Sequence, residues 1–381
     1  MTTISFPGLG IPEFSINPVA IPIGEAGIRW YALLIVTGMI LAVIYAWRRN
    51  KAEGISFDTL IDFALFTIPV GIVGARLYYV FFDWLARPEN YKSFLDVIAI
   101  WNGGLAIYGG IIFGIITIFV VAKVKKMSWK TLSKFFDSIA PGVMIAQALG
   151  RWGNFCNGEA YGSVTSLPWR MCSNNFAKDL LSSGMIESEQ YYKMLSPNTF
   201  KKLFEGGAIN EETYNKLLSG ANSLGVHPTF LYESLWNVIG FILINIFYKK
   251  KRFDGQIALM YIAWYGLGRT FIELLRTDSL TNGGNIRVSS VLGLASFLVA
   301  GTLLVILFIK NKGKKTYGDS VALAATAGEI LEEATEGSTD TITETDTENA
   351  GESPQSTEAS ENIDTQENQE SKEEDDNGKV D

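Results

Sequence analysis

The sequence contains very little histidine and cysteine, the residues on which metal centres and disulfide scaffolds depend. Its 381 residues include one His and two Cys. Two cysteines cannot hold a disulfide-rich domain together, and His227 is too isolated from them for the ligand spacing of an ordinary zinc site. No phosphate loop of the GxGxxG or GxxxxGK[ST] type stands between a strand and a helix. The sequence therefore gives no sign of a zinc centre or of a nucleotide-binding domain.

Acidic residues are few in most of the chain and concentrated at its end. Residues 316–381 contain 20 of the 40 acidic residues but two of the 32 basic ones. This segment carries a formal charge of −18, which leaves +10 on residues 1–315. Tyr317 is its one aromatic residue, so the segment cannot bury enough apolar surface to offset the entropy of ordering. We therefore predict a basic, apolar domain over residues 1–315 and a disordered acidic tail over residues 316–381.

Long apolar runs recur through the first 315 residues. A helix needs roughly 20 apolar residues to cross a bilayer. Stretches such as Phe241–Phe247 and Leu303–Ile309 are apolar on every side, whereas helices around a soluble core would keep a polar face. We therefore predict an all-α integral membrane protein with about seven transmembrane helices. The predicted spans are 28–47, 60–82, 104–122, 135–150, 229–248, 256–275 and 289–309. The fourth is the weakest, because Asp137, Pro141 and Gln147 interrupt it.

Basic residues in the short loops give the predicted orientation. With seven spans, 16 Lys and Arg residues of these loops fall on one side of the membrane. Basic loops face the cytoplasm. The N-terminus is therefore predicted to lie outside and the acidic tail in the cytoplasm. The loop over residues 151–228 then lies outside, with helix-like pieces at Ser188–Leu195 and Glu211–Leu218.

Most polar residues of the predicted spans lie at one depth, near the outer ends. Ionisable groups inside a membrane are costly and indicate a functional site by default. The sixth span carries four of them at intervals of four, four and three residues, which places them on one face of a helix. These four are Tyr265, Arg269, Glu273 and Arg276. The others at this depth are Tyr31, Arg76, Tyr108, Arg151, Asn154, His227, Tyr232 and Glu233.

Arginine is in excess at this outer level, where Glu159, Glu233 and Glu273 are the main acids. Excess positive charge in a medium of low dielectric constant attracts an anion, and the guanidinium fork suits a phosphate group. One alternative is a buried Arg–Glu pair that only fixes helix packing. Another is a transporter or channel with an anion site. Against the second, the polar residues trace no path across the membrane, and the sequence has no evident inverted repeat.

Four blocks of the sequence resemble the signature of the prolipoprotein diacylglyceryl transferases. Their order and their depth in the membrane fit that family, and the likeness covers roughly residues 15–310. The blocks are Trp101–Gly110 (WNGGLAIYGG), Gly150–Gly162 (GRWGNFCNGEAYG), His227–Glu233 (HPTFLYE) and Tyr265–Arg276 (YGLGRTFIELLR).

The resemblance implies a reaction and its partners. Family members move the diacylglyceryl group of phosphatidylglycerol onto the lipobox cysteine thiol of a prolipoprotein, whose signal peptide lies in the membrane. It implies the bacterial cytoplasmic membrane, a site facing the outer leaflet, no metal or cofactor, and no nucleic-acid partner. Arg151, Arg269 and Tyr108 are the candidate catalytic residues. The candidate residues for binding phosphatidylglycerol are Arg151, Arg269, Tyr31, Arg76, Asn154, Glu159, Gly162, Tyr265, Glu273 and Arg276.

Tyr108 departs from the family pattern, because many members have His at the matching position. Tyrosine has a pKa near 10 and is a poor general base at neutral pH. Either the base lies elsewhere, or the Tyr108 hydroxyl only orients a substrate. A catalytically inactive lipid-binding relative is a further alternative, against which stand the retained Arg151, Asn154, Glu159 and Arg269.

Overall fold

Long helices dominate the structure, which is a computed structural model. The described residues are 2–23, 27–100, 103–277 and 287–323. Trp101 and Asn102 of the first signature block lie outside them, as does the predicted tail after residue 323. Twelve α-helices are numbered along the described residues: α1 Trp30–Ala52, α2 Phe57–Ala86, α3 Phe94–Ile98, α4 Ile107–Val124, α5 Trp129–Asn157, α6 Asn174–Ser182, α7 Ser188–Met194, α8 Pro197–Glu205, α9 Glu211–Gly220, α10 Thr229–Tyr248, α11 Gln256–Glu273 and α12 Val288–Lys310.

Five of these helices are long and apolar enough to cross a membrane, namely α1, α2, α4, α10 and α12. The chain is thus a helical protein with five candidate spans, which is consistent with a membrane protein. The other two predicted spans correspond to α5 and α11, which are not among the five. Helix α5 extends beyond the predicted span at both ends and contains Asp137, Gln147 and Arg151.

Small residues let the long helices approach closely in antiparallel pairs. A Cβ atom on Gly38 of α1 would lie 2.9 Å from the Cα of Ala146 of α5, and one on Gly142 would lie 2.9 Å from the carbonyl oxygen of Ala42. This spacing continues to Gly153, which lies against Tyr31 at the start of α1. Small residues at such crossings favour packing inside a membrane, where no hydrophobic effect drives helices together.

Helices α10 and α11 are joined by a reciprocal pair of tryptophans. The indole N–H of Trp236 donates to the carbonyl of Trp264 at 3.0 Å, and that of Trp264 donates to the carbonyl of Trp236 at 2.9 Å. The two rings stack at 4.3 Å. Each ring lies against a glycine of the facing helix, Gly268 for Trp236 and Gly240 for Trp264.

A compact layer of short elements covers the end of the bundle where α5 finishes and α10 begins. Its core is formed by Ile4 and Phe6 of an N-terminal hairpin together with residues of α6–α8, such as Phe176 and Phe200. The helix-like pieces predicted for the loop correspond to α7 and α9, whereas α6 and α8 were not predicted. Neither were three two-stranded antiparallel sheets. Their strands are β1 Thr2–Phe6 with β2 Ile11–Ile16, β3 Val19–Ile21 with β4 Ile28–Arg29, and β5 Val164–Thr165 with β6 Gly225–Val226.

A buried polar network closes the opposite end of the bundle. Asp137 of α5 is fully buried and accepts hydrogen bonds from the backbone N–H groups of Gly255 and Ala258, at 2.9 and 3.0 Å. The ammonium of Lys251 lies 3.3 Å from Asp137 and also contacts Glu53 at the end of α1. The network therefore joins α1, α5 and the loop before α11.

Residues 316–323, which the sequence analysis assigns to the tail, contact this same end. The backbone N–H of Tyr317 donates to the carbonyl of Lys251 at 2.8 Å, and that of Gly318 donates to the carbonyl of Lys249 at 2.9 Å. The ring of Tyr317 packs against Tyr248. The first residues of the predicted tail thus pack on the helical body.

Candidate functional site

Three arginines share one buried carboxylate at the end of the bundle beneath the covering layer. A carboxylate oxygen of Glu233 lies 2.7 Å from Arg151 Nη2, 3.4 Å from Arg269 Nη1 and, through its other oxygen, 3.1 Å from Arg276 Nη1. A second acid, Glu273, lies 2.6 Å from Arg269 Nη2. We call Glu233, Glu273 and these three arginines the arginine cluster.

Helix ends bring the arginine cluster together. Arg151 lies near the end of α5 and Glu233 in the first turns of α10. Arg269 and Glu273 are one turn apart at the end of α11, and Arg276 follows directly. Arg269 and Glu273 therefore lie on one face of α11 as predicted, whereas Arg276 lies beyond the end of the helix and reaches the same carboxylate from the following turn.

The arginine cluster carries more positive than negative charge. Its two carboxylates are almost fully enclosed, whereas 24 % of the Arg151 side chain stays exposed. The Arg287 guanidinium also reaches this region, where it donates to the backbone carbonyl of Glu273. Removing charges from water is costly unless they are paired, so this surplus of guanidinium groups favours binding of an anion.

A second row of polar groups extends from Arg151 to the covering layer. Arg151 donates to the side-chain oxygen of Asn154 at 3.3 Å, and the amide of Asn154 donates to Glu159 at 3.0 Å. Asn157 also donates to Glu159, at 3.2 Å. The ring of Tyr31 lies against Gly153 in the same turn of α5. The structure therefore brings three predicted site residues, Tyr31, Asn154 and Glu159, to Arg151.

Gly162 helps to position the backbone of Arg276, through a backbone pairing that leaves no room for a larger residue. Its N–H donates to the carbonyl of His227 at 2.9 Å, and it pairs with Arg276 as an isolated β-bridge. A Cβ atom at Gly162 would lie 2.7 Å from the Cβ of His227 and 2.8 Å from the carbonyl oxygen of Leu275. A larger residue would therefore push the Arg276 backbone away from the arginine cluster.

His227 has the surroundings of a structural residue. Its Nδ1 lies 3.2 Å from the hydroxyl of Tyr232, which accepts a hydrogen bond from the indole of Trp169 at 2.7 Å. Burial lowers the pKa of His227, so the ring is neutral at neutral pH. Its position favours a packing role over a catalytic one.

Arg76 lies apart from the arginine cluster, although the sequence places it at the same depth. Among the described residues, the Arg76 guanidinium donates its hydrogen bonds to backbone carbonyls of the segment between α2 and α4. These are the carbonyls of Asp96, Val97, Gly103 and Gly104, at 2.6–3.1 Å. Arg76 therefore holds this segment in place, and its contact with a lipid remains a prediction.

Tyr108 opens α4 and faces α12. Its hydroxyl shares a hydrogen bond of 2.9 Å with the hydroxyl of Ser289. Ser289 is neither a base nor a cation, so this contact does not activate the phenol as a proton acceptor. Tyr265 lies one turn before Arg269 on α11, with its ring 6.1 Å from that of Tyr261.

Sequence reasoning missed several residues that contact the site. Glu233 was counted only as a nearby acid, although it is the shared partner of three arginines. Its signal was available, because a lone acid at the start of an apolar helix needs a buried cation. Asn157, Arg287 and Ser289 gave no comparable signal, since each lies in a helix end or loop whose path is set by tertiary packing.

Comparison with known proteins agrees with the four signature blocks. The family model of the prolipoprotein diacylglyceryl transferases matches residues 18–307 of the chain. The chain belongs to this family. It is 39 % identical over 305 residues to the phosphatidylglycerol–prolipoprotein diacylglyceryl transferase of Streptococcus uberis, an alignment that covers 79 % of this chain and 99 % of the relative. Proteins of the same name from Streptococcus pyogenes serotypes M5 and M1 match with the same identity and coverage.

The family match contains the whole arginine cluster, Tyr108 and the row from Tyr31 to Glu159. It also contains α6–α9, so the covering layer lies inside the matched region. The residues after 307, including the acidic tail, extend beyond it.

Proposed function

We propose that the chain transfers the diacylglyceryl group of phosphatidylglycerol to a cysteine thiol of prolipoproteins, the first step of lipoprotein maturation. The names of its relatives specify the donor and the class of acceptor. The observation that carries the proposal for the site is the gathering of Arg151, Arg269 and Arg276 around Glu233. A phosphodiester headgroup is an anion that such a group of forks can bind.

In the proposed reaction, the lipobox thiolate attacks the glyceryl carbon that bears the phosphate ester. A C–S bond forms, the C–O bond breaks, and glycerol phosphate leaves with the electron pair. Negative charge grows on the phosphate oxygens, and Arg151 and Arg269 stabilise it in a site with little water. Each such donor contributes about 3 kcal/mol in comparable enzymes.

Glu233 is proposed to hold the guanidinium groups in position before the lipid arrives. A free cluster of arginines would repel itself, and one shared carboxylate keeps the three forks directed at one place. Asn154 and Tyr31 would then contact the polar part of the headgroup, because they lie beside the exposed part of Arg151. The thiol is supplied by the substrate, and its proton goes to solvent or to a nearby base.

Mass spectrometry tests the proposed function directly. The purified full chain is incubated with phosphatidylglycerol and a lipobox peptide, and the peptide is examined for a diacylglyceryl group on its cysteine. A peptide with Ser in place of that cysteine is the matched control. A phosphatidylglycerol-dependent mass increase on the Cys peptide alone supports transfer, and its absence with a correctly folded protein contradicts it.

For Tyr108 we expect an orienting role. Tyr108→Phe should lower turnover about tenfold, since it removes one neutral hydrogen bond and no base. The pH profile should keep a single rise near the pKa of the substrate thiol, about 8.5. Tyr78→Phe, which removes a hydroxyl outside the arginine cluster, is the control. A Tyr108→Phe enzyme that is folded but inactive would make the phenol essential.

The proposed topology has seven spans, with α5 and α11 crossing the membrane beside the five more apolar helices. The N-terminus and the covering layer then lie outside, and the site faces the outer leaflet of the cell membrane. Reporter fusions after Lys126 and Lys315 should both read as cytoplasmic, and a tag inserted at Gly184 between α6 and α7 should read as external. An external signal at either fusion point would contradict the seven-span topology.

The acidic tail is proposed to be dispensable for transfer. A chain ending at Leu323 should keep full specific activity, because the arginine cluster lies at the far end of the bundle. A chain ending at Lys315 loses the packing of Tyr317 against Tyr248 and should unfold at a lower temperature. Activity and thermal unfolding of the two truncated chains check this pair of expectations. A large loss of activity in the folded longer chain would assign the tail a part in the reaction.

A further inference from the structure

A basic cavity opens at the end of the bundle opposite the arginine cluster. Its volume is about 420 Å³, within the usual range for small-ligand pockets. It lies where the start of α5, the loop between α10 and α11, and the segment after α12 meet. Six cationic side chains line it against two carboxylates. The cations are Lys130, Lys134, Lys251, Arg252, Lys314 and Lys315, and the acids are Glu53 and Asp254.

Part of this positive charge is already neutralised inside the protein. Lys251 is buried between Glu53 and Asp137, and Lys134 lies 3.7 Å from the other oxygen of Glu53. Arg252 donates to the backbone carbonyl of Lys312 and lies over the ring of Phe308, so its charge has no acid partner in these contacts. The inner wall of the cavity is therefore held rigidly by the buried network.

The remaining cations lack such partners. Lys130, Lys314 and Lys315 form no ion pair within 4.0 Å with any residue in the described part of the chain. Hydrogen bonds from the hydroxyl and backbone N–H of Thr316, together with the charges of Lys315 and Arg252, lower the pKa of the Asp319 carboxylate. Three unpaired ammonium groups therefore come from two separate segments to one cavity.

We propose that this cavity binds a phosphate ester group. Ammonium groups on flexible stems are suited to a compact phosphate, and the cavity has several donors for its oxygens. The site is separate from the arginine cluster, because Lys134 and Arg151 are 17 residues apart on α5, or about 26 Å at the rise of an α-helix. The phosphate can belong to a phospholipid headgroup at this face of the membrane or to a soluble phosphate ester.

Lysine footprinting tests the site and distinguishes these two sources. The full chain in a phosphate-free maltoside detergent is acetylated with limiting reagent, alone, with glycerol 3-phosphate, or with added phosphatidic acid. Occupancy should slow acetylation of Lys130, Lys314 and Lys315 about tenfold at saturating ligand, since each ammonium is held in a charge-assisted hydrogen bond. Lys123, an exposed lysine outside the cavity, should react at an unchanged rate.

Protection by glycerol 3-phosphate identifies a soluble ester, and protection by phosphatidic acid alone identifies a lipid headgroup. Either result supports the site. Equal slowing of Lys123 and the cavity lysines, or no slowing in any arm, overturns it.

A pair of charge-matched variants gives an independent measurement. The triple variant Lys130→Gln, Lys314→Gln, Lys315→Gln should lose at least about tenfold in affinity for the protecting ligand, as counted by native mass spectrometry. The control triple removes three lysines outside the cavity: Lys123→Gln, Lys126→Gln and Lys312→Gln. It should bind as the parent chain does. An equal loss of affinity in both triple variants would show that binding depends on general surface charge, and it would overturn the proposed site. Diacylglyceryl transfer is a separate readout, which both triples should retain.

Discussion

Replacement of Arg151 or Arg269 by Ala should lower the turnover of diacylglyceryl transfer at least about 100-fold, the usual cost of one lost donor to a developing charge. Both guanidinium groups contact Glu233, and both retain an exposed part that a phosphate can reach. The loss should fall mainly on kcat, because the charge on the phosphate oxygens grows as the C–O bond breaks.

Lysine at the same positions should restore only part of the activity. One ammonium supplies the charge but cannot bind two oxygens in the plane of a fork. Arg48→Ala, on the exposed side of α1 at the other end of the bundle, is the control and should leave turnover unchanged. Near-normal turnover in Arg151→Ala or Arg269→Ala would contradict the phosphate-stabilising role. Folding of each variant is checked by its thermal unfolding.

Loss of the charge on Glu233 should have the largest effect on stability. Glu233→Gln leaves three partly exposed guanidinium groups without the carboxylate that they share. Breaking a fully buried ion pair costs about 3–5 kcal/mol, and the partial exposure of the arginines lowers this cost. The Glu233 side chain is 7 % exposed, so water cannot make up the difference. The thermal unfolding temperature in detergent should therefore fall by several degrees.

A phosphate anion should partly reverse this loss. It can take the place of the missing carboxylate between the arginines, and a ligand that binds the folded state raises its stability. Glu159→Gln is the matched control, because Glu159 is exposed, accepts hydrogen bonds from the side-chain amides of Asn154 and Asn157, and should tolerate the change. An unchanged unfolding temperature for Glu233→Gln would show that the arginines do not depend on it.

The long helices and the arginines of the arginine cluster could be predicted from sequence, but the sharing of Glu233 by all three arginines could not. Uniform apolar runs and the four-residue interval between Arg269 and Glu273 are local features of the sequence. They can therefore be recognised without knowledge of the fold. Arg76 shows the limit of such local prediction. The sequence predicts the same depth for Arg76 as for Arg151, yet the Arg76 side chain turns to a loop whose path only tertiary structure determines.

The covering layer was the least predictable part of the fold. Helices α6 and α8 are short and amphipathic, and each depends on a core that includes Ile4 and Phe6 from the distant N-terminus. No local pattern in residues 174–182 or 197–205 indicates that partner. Residues 316–323 are a second example, because composition assigns them to the acidic tail. In the structure, Tyr317 packs against Tyr248 and so attaches this segment to the helical body.

The reciprocal tryptophans, Trp236 of α10 and Trp264 of α11, fix the axial register of these two helices and therefore of the site residues that they carry. Because each indole bonds to the other helix and lies on its glycine, a slip of one residue would break both hydrogen bonds and drive both rings into side chains. Glu233 is three residues from Trp236, and Arg269 is five from Trp264. The relative position of Glu233 and Arg269 along the helices is therefore set by the two indoles, which lie outside the arginine cluster. These contacts tie α10 to α11, so we expect any widening that admits a two-chain lipid to come from the elements that flank them.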